Sequence, residues 1–134
     1  MIRGMNYPAS IHTRGGMSVE NQRRITPLLK TALTTTEGKQ IVVLLAEVPP
    51  DDTGSGHYHP GDEVIYVLEG SVTFAVDGQP DMTLHAGETC HIPAKHVHFG
   101  KTGSNGLKFL SIHVEETGTL QRTLAAEAMG KSSS

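Results

Sequence analysis

The sequence is poor in the residues that would commit it to several common kinds of protein. It has one cysteine, Cys90, so no internal disulfide can form, which suits a reducing, cytoplasmic setting. Tryptophan is absent, and three phenylalanines and three tyrosines are the whole aromatic content, which argues against a site that stacks a large flat ligand. The longest uninterrupted apolar run, Ile41 to Ala46, is far short of the ~20 residues a spanning helix needs, so no membrane partner is expected. Arg3 is followed by no apolar stretch, so no signal peptide is visible. The eleven lysines and arginines are scattered and the formal net charge is −3, which excludes the basic footprint of a nucleic-acid binder. A chain of 134 residues suits one domain with a real core.

Histidine, by contrast, is plentiful. There are eight, and all but His12 fall from His57 onward. The densest stretch begins Gly54-Ser-Gly-His57-Tyr-His59-Pro-Gly-Asp-Glu63 and runs through the apolar residues Val64 to Leu68 to Gly70. Side chains two apart on a strand share a face, so His57 and His59 look the same way, and Glu63 has the same parity. Pro60-Gly61-Asp62 marks a turn that could fold Glu63 back towards the imidazoles. Two imidazoles and a carboxylate on one face suit a divalent transition metal. A solvated, histidine-rich turn is the plainer alternative. It explains less well why a carboxylate opens a strongly apolar run, where burial without a cation is costly.

Strand signals recur at short intervals. Ile25-Thr-Pro27-Leu-Leu reads as an edge strand interrupted by proline. Strands are expected at Gln40–Val48, at Glu63–Leu68 and Val72–Val76 around a tight hairpin at Glu69-Gly70, and at Met82–Leu84, Thr89–Ile92, Val97–Phe99 and Leu107–Val114. Asp77-Gly78 is the strongest short turn signal, and Gly87, Pro93, Gly100, Gly103 and Gly106 punctuate the remainder. About eight or nine short strands argue an antiparallel sandwich or small barrel. Leu120, Leu124, Ala125 and Ala128 give the one helical period. The expected organisation is an arm over residues 1–18, a barrel over 19–118, a helix over 119–130 and a disordered polar tail over 131–134. Val64, Tyr66 and Leu68 form a second apolar face on their strand, as does the run Ile41 to Leu45, so a homodimer is expected to supply cover. Phe74, Met82, Phe99, Phe109 and Leu110 are core candidates.

A second stretch, Gly87-Glu-Thr-Cys-His-Ile-Pro93-Ala-Lys-His96-Val-His98-Phe-Gly100, completes a pattern. Together the two stretches resemble the cupin superfamily, in its small single-domain form. Its first motif, G-x5-H-x-H-x3/4-E-x6-G, is matched from His57 through His59 and Glu63 to Gly70, although Asp51 stands in the place of the first glycine. Its second, G-x5-P-x-G-x2-H-x3-N, is matched at Gly87, Pro93 and His98, with Lys95 replacing the glycine and Thr102 the asparagine. The resemblance covers Gln40 to about Val114. It implies an all-β, antiparallel jelly-roll β-barrel, here with a short C-terminal helix. It also implies His57, His59, Glu63 and His98 as ligands to one divalent ion per chain, whether Fe, Mn, Ni or Zn. Three imidazoles and one carboxylate leave positions open for water, dioxygen or substrate.

His96 competes with His98, and the spacing from Pro93 favours His98. His96, His91 and His113 are then candidates for contacts around the ligands or to substrate; each is as readily a surface histidine. Cys90 and His91 alternate, so only one of them can face inward, and Cys90 reads as a small buried hydrophobe. His85 beside its glycine turn reads as solvated. The resemblance suggests an oxidoreductase of the dioxygenase kind acting on a small, oxygen-rich, chelating substrate, with Glu63 doubling as general base. A metal-dependent isomerase or lyase, a non-catalytic small-molecule-binding barrel and a metal-free barrel are the alternatives, since one scaffold hosts many chemistries.

Overall fold

The structure is a computed structural model that describes residues 22–118 and the backbone of Thr123 and Leu124. The expected arm over 1–18 and tail over 131–134 lie outside the described residues. So does the expected helix, apart from Thr123 and Leu124, which form a short strand. No helix among the described residues is long and apolar enough to cross a membrane.

Eight strands follow in order: β1 (Arg24–Ala32), β2 (Lys39–Val48), β3 (His57–Tyr58), β4 (Asp62–Val76), β5 (Met82–His85), β6 (Thr89–Ile92), β7 (His98–Glu116) and β8 (Thr123–Leu124). All pairings are antiparallel. β1 lies at one edge, paired with β2 alone, and its register slips between Pro27 and Leu29, where proline can give no ladder hydrogen bond. β4 and β7 are the spine. They pair from Asp62↔Val114 to Val76↔His98, almost end to end.

The hairpin expected at Glu69-Gly70 is therefore not one. β4 runs straight through, with register shifts at Val67/Glu69 and Gly70/Val72. These bulges reverse the parity of the strand: Glu63, Ile65 and Val67 face inward before them, and Val72, Phe74 and Val76 after. β7 shows the same change, with His98 and Thr102 buried in its first half and Ser111, His113 and Glu115 in its second. Gly100, Gly103 and Gly106 thus do not end strands, and the last two expected strands are one.

The corner is made by glycine. Gly70 sits at φ +83° and Gly106 at φ +76°, and a Cβ on Gly70 would fall on the Gly106 carbonyl oxygen. Beyond the corner, the first half of β7 pairs with β3 as well as β4, so the long pair joins two parts of one sheet. Ile65, Val67, Val72, Phe74, Val76, Leu84, Ile92 and Leu107 pack together inside, each side chain contributing about 1.5–3 kcal/mol of burial. Met82 and Phe109 pack against this cluster as expected. Phe99 does not: with His98 turned inward, its neighbour points out and is 39% exposed.

Both places where the cupin pattern has glycine and this chain does not are held in the left-handed region. Asp51 has φ 50° and Lys95 φ 65°, so the backbone geometry survives the replacements at a cost of about 1–2 kcal/mol each. Thr102, in place of the pattern's asparagine, ties down the loop before β3. Its hydroxyl donates to the Pro49 carbonyl at 2.7 Å and accepts from the Asp52 amide at 2.8 Å.

Gly78 offers a control for the corner. It has φ +82°, but a Cβ there would meet nothing within 4 Å. Gly78→Ala should cost about 1 kcal/mol, the strain alone. Gly70→Ala should cost about 2–4 kcal/mol, because backbone must also move. Urea unfolding checks this, and equal losses would mean the close approach at Gly106 is not a structural requirement.

Candidate metal centre

The centre is assembled at the point where β3, β4 and β7 meet. His57 opens β3 opposite His98, the first residue of β7. His59 follows β3, and its carbonyl accepts the Lys95 amide at 2.8 Å, which couples the two histidine-bearing segments. The chain then turns at Pro60-Gly61. A Cβ on Gly61 would collide with the Val114 carbonyl and come within 2.7 Å of the Glu115 side chain, so only glycine passes here. The turn delivers Glu63 to the inner face of β4, directly opposite His113 on β7. Ser111, two residues earlier, shares that face.

His59, Glu63, His98 and His113 are all buried, and His57 is partly so. Ring centroids are 4.4 Å apart for His57 and His98, 4.5 Å for His59 and His113, and 5.2 Å for His59 and His98. Nδ1–H of His57 donates to the Ser55 carbonyl at 2.8 Å, and Nδ1–H of His98 donates to the His96 carbonyl at 2.9 Å. Each Nε2 therefore carries a lone pair into the cluster. Fixing the tautomer through a backbone carbonyl in this way is the usual support for a ligating imidazole.

Glu63 is held at one oxygen and exposed to the imidazoles at the other. The Ser111 hydroxyl donates to Oε2 at 2.6 Å. That spends its one proton, so the His113 Nε2–H donates to Ser111 Oγ across 2.7 Å. Oε1 lies 3.0 Å from His59 Nε2 and 3.4 Å from His98 Nε2, yet is aligned for a hydrogen bond with neither. Burial pushes the Glu63 carboxyl up, but His59 and His98 at its oxygen, with the charge of His59 and His113, outweigh burial and hold it well below the usual carboxylate range. Burial, reinforced by His59 and His98, lowers the pKa of His113 despite the pull of Glu63 and Glu115.

This donor set fits a cation. Glu63 Oε1 is a buried, charged acceptor without an aligned donor, a costly state unless a positive centre compensates it. One ligand atom from each of His57, His59 and His98 lies within 4.8 Å of the others, and so does one each from His59, Glu63 and His113. Donors bonded at about 2.0–2.2 Å to one ion sit about 3–4.4 Å apart, so both sets have a suitable span. These groups could hold one divalent ion, and nothing in the donor set singles out one metal.

Two cavities flank the cluster. One of about 80 Å³ is bounded by His57, Glu63 and His98 together with Ile65, Phe74 and Leu107. A larger one of about 350 Å³ reaches His57, His59, Glu63, Ser111 and His113 through walls of Ile25, Leu44 and Phe109. His98 rather than His96 thus joins the group. His96 is exposed, with Nδ1–H donating to the Ala94 carbonyl at 3.1 Å, and His91 is exposed and paired with Asp62 at 2.9 Å. Neither lines either cavity. Of the three further histidines singled out in the sequence, only His113 is brought to the cluster. His85 is exposed as expected, and Cys90 faces the core. Sequence reasoning missed Ser111 and Arg23, which lines both cavities; the parity of Ser111 with His113 was the available signal.

A closed antiparallel β-container with imidazoles and one carboxylate converging on its inner wall defines the class of protein. Residues 44–113, more than half of the chain, match the family model described as Cupin domain, and the chain belongs to that family. Over 76 residues it is 36% identical to quercetin 2,3-dioxygenase of Bacillus subtilis (strain 168), an overlap of 56% of this chain and 22% of that protein. The chain thus spans less than a quarter of that relative's length. In fold it is similar to the DMSP lyase of Ruegeria pomeroyi DSS-3, with TM-score 0.66 and 17% identity over 94% of this chain and 59% of the other. It is also similar to a cupin superfamily protein of Desulfitobacterium hafniense DCB-2, with TM-score 0.59 and 20% identity over 72% of this chain and 80% of the other.

Cys90, on β6 opposite Ile65, reports on the interior. Burial, then the Glu63 carboxylate, pushes its thiol up to about 11. A raised pKa keeps the thiol protonated through neutral and mildly basic pH, so at pH 8 only about one molecule in a thousand carries the reactive thiolate. Alkylation by iodoacetamide at pH 8 should therefore be at least tenfold slower in the folded protein than in urea. Equal rates would show that neither burial nor Glu63 acts on Cys90.

Proposed function

We propose that this cupin is a metal-dependent oxidoreductase of the dioxygenase kind, acting on a small, oxygen-rich substrate that chelates one divalent ion held by His57, His59, Glu63 and His98. The observation that supports this is a pair of overlapping groups, His57 with His59 and His98, and His59 with Glu63 and His113, each with ligand atoms within 4.8 Å of one another, beside a cavity of about 350 Å³. The 36% identity to a quercetin 2,3-dioxygenase supports the choice of chemistry. The size of the cavity favours a substrate at the small end of the range of ligands. A bound ion of this kind supplies Lewis-acid polarisation and, where redox-active, one-electron chemistry.

The chain's own groups do the remainder. Nδ1–H bonds to Ser55 and His96 orient the rings of His57 and His98. Ser111 anchors Glu63 by Oε2, so Oε1 is the oxygen that would hold the ion and, once bound substrate loosens that bond, accept a substrate proton. Ile25, Leu44 and Phe109 give the larger cavity an apolar wall for the body of the substrate. A homodimer is part of the same proposal: Val64, Tyr66 and Leu68 on the outer face of β4 are 37–39% exposed, and a second copy would cover them. A reducing, cytoplasmic location suits the unpaired Cys90.

Metal-stripped protein reloaded with Fe(II), Mn(II), Ni(II) or Zn(II) should take up about one ion per chain, and Glu63→Gln and His98→Ala should each weaken retention at least tenfold. With a panel of catechols, diketones and flavonols, at least one metal should support oxygen uptake, followed with an oxygen electrode. Substrate turnover without oxygen consumption would move the assignment to an isomerase or lyase, and binding without turnover to a non-catalytic module. For the dimer, Tyr66→Glu should shift the sedimentation coefficient to that of a monomer; a wild-type protein that sediments as a monomer would remove that part.

A further inference from the structure

The larger cavity is apolar along most of its wall, yet one permanently charged side chain opens onto it. Arg23 lines both cavities and is the one lysine or arginine that does so among the described residues. Its Nε donates to Asp52 Oδ2 at 2.7 Å. Among the described residues it forms no other hydrogen bond or ion pair, and neither Nη group has a partner among them. A plain surface ion pair is worth about 0–1 kcal/mol and would need no particular surroundings. Here the surroundings are specific. Asp52 is itself pinned by its amide to Thr102 Oγ1 at 2.8 Å and by its carbonyl to the Thr102 amide at 2.9 Å. Thr102 is buried, so the clamp on Arg23 reaches into the barrel wall. Gly54 lies under the guanidinium: a Cβ there would stand 3.0 Å from Nη2 and 3.4 Å from Nη1. The absent side chain makes room for the fork at the cavities.

We infer that Arg23 is a specificity-determining residue that selects substrates carrying a carboxylate at the end remote from the metal-chelating oxygens. With Nε tied to Asp52, the guanidinium presents its Nη1–Nη2 edge, whose two parallel N–H bonds match the two oxygens of a carboxylate. The apolar stretch of Ile25, Leu44, Ala46 and Val48 would take an uncharged body between the two ends. Asp52 neutralises part of the Arg23 charge, so the preference is expected to be about tenfold rather than hundreds. The assignment rests on the reading of the His and Glu cluster as the site that binds substrate.

The test uses an isosteric pair, 3,4-dihydroxybenzoate and 3,4-dihydroxybenzamide, which share a chelating diol and differ in the remote group. Their dissociation constants are measured by calorimetry on the full-length wild type, Arg23→Gln and Arg23→Lys, each with and without added Fe(II) or Zn(II). The metal-loaded wild type should bind the acid about tenfold more tightly than the amide. Arg23→Gln should remove that preference with the metal content unchanged, and Arg23→Lys should retain part of it. Equal binding of acid and amide by wild type, no binding of either, or a preference that survives in Arg23→Gln would overturn the role of Arg23. Absence of metal uptake with the acid preference intact would instead overturn the metal centre and leave Arg23 standing.

Discussion

The structure depends on one contact across the interior, the approach of the Glu63 carboxylate to the imidazoles of His59 and His98. A carboxylate buried this deeply would cost several kcal/mol if left alone. His59 and His98 at its oxygen hold the carboxyl below the usual carboxylate range despite that burial. The rings must therefore stay in place, and Nδ1–H bonds to backbone carbonyls hold those of His57 and His98. Ser111 and His113 complete the enclosure on the side of β7, where Glu63 and His113 are direct cross-strand neighbours. An arrangement that suits a metal is thus also one that a metal would stabilise, so stability and chemistry draw on the same atoms.

Bringing these groups together is the task of the two long strands. β4 carries Glu63 before the corner and core residues after it, and β7 carries His98 before the corner and His113 after. Without the parity change at the bulges, either Glu63 with Ile65 and Val67 or Val72 with Phe74 and Val76 would face solvent. Gly70 and Gly106 make the corner because their backbones pass too closely for a Cβ. The replacement of two pattern glycines by Asp51 and Lys95 shows the converse. Where φ is positive but space is open, a side chain is tolerated at the cost of strain.

Thr102 connects the loop before β3 to the barrel wall, and through Asp52 it sets the direction of Arg23. The side of the barrel that carries the cluster thus combines polar groups and an apolar wall with Arg23, the one lysine or arginine lining the two cavities among the described residues.

Much of the chemistry was legible in the chain itself. The spacing of His57, His59 and Glu63, the turn at Pro60-Gly61 and the distance from Pro93 to His98 are local, and local patterns survive because strand alternation and glycine sterics act over a few residues. The strand at Pro27 and the turn at Asp77-Gly78 were legible for the same reason. What the sequence could not decide was long-range. Glu69-Gly70 looks like a hairpin until Gly106 is seen beside it, and Gly100, Gly103 and Gly106 look like strand ends until β7 is seen to run on past them and pair with β4 on both sides of the bulge. His91, His96 and His113 are alike as letters; pairing put His91 opposite the outward Val64 and His113 opposite Glu63, while His96 falls in the loop between β6 and β7. Ser111 and Arg23 carry no motif at all; pairing registers and loop clamps, which depend on residues tens of positions away, placed them at the site.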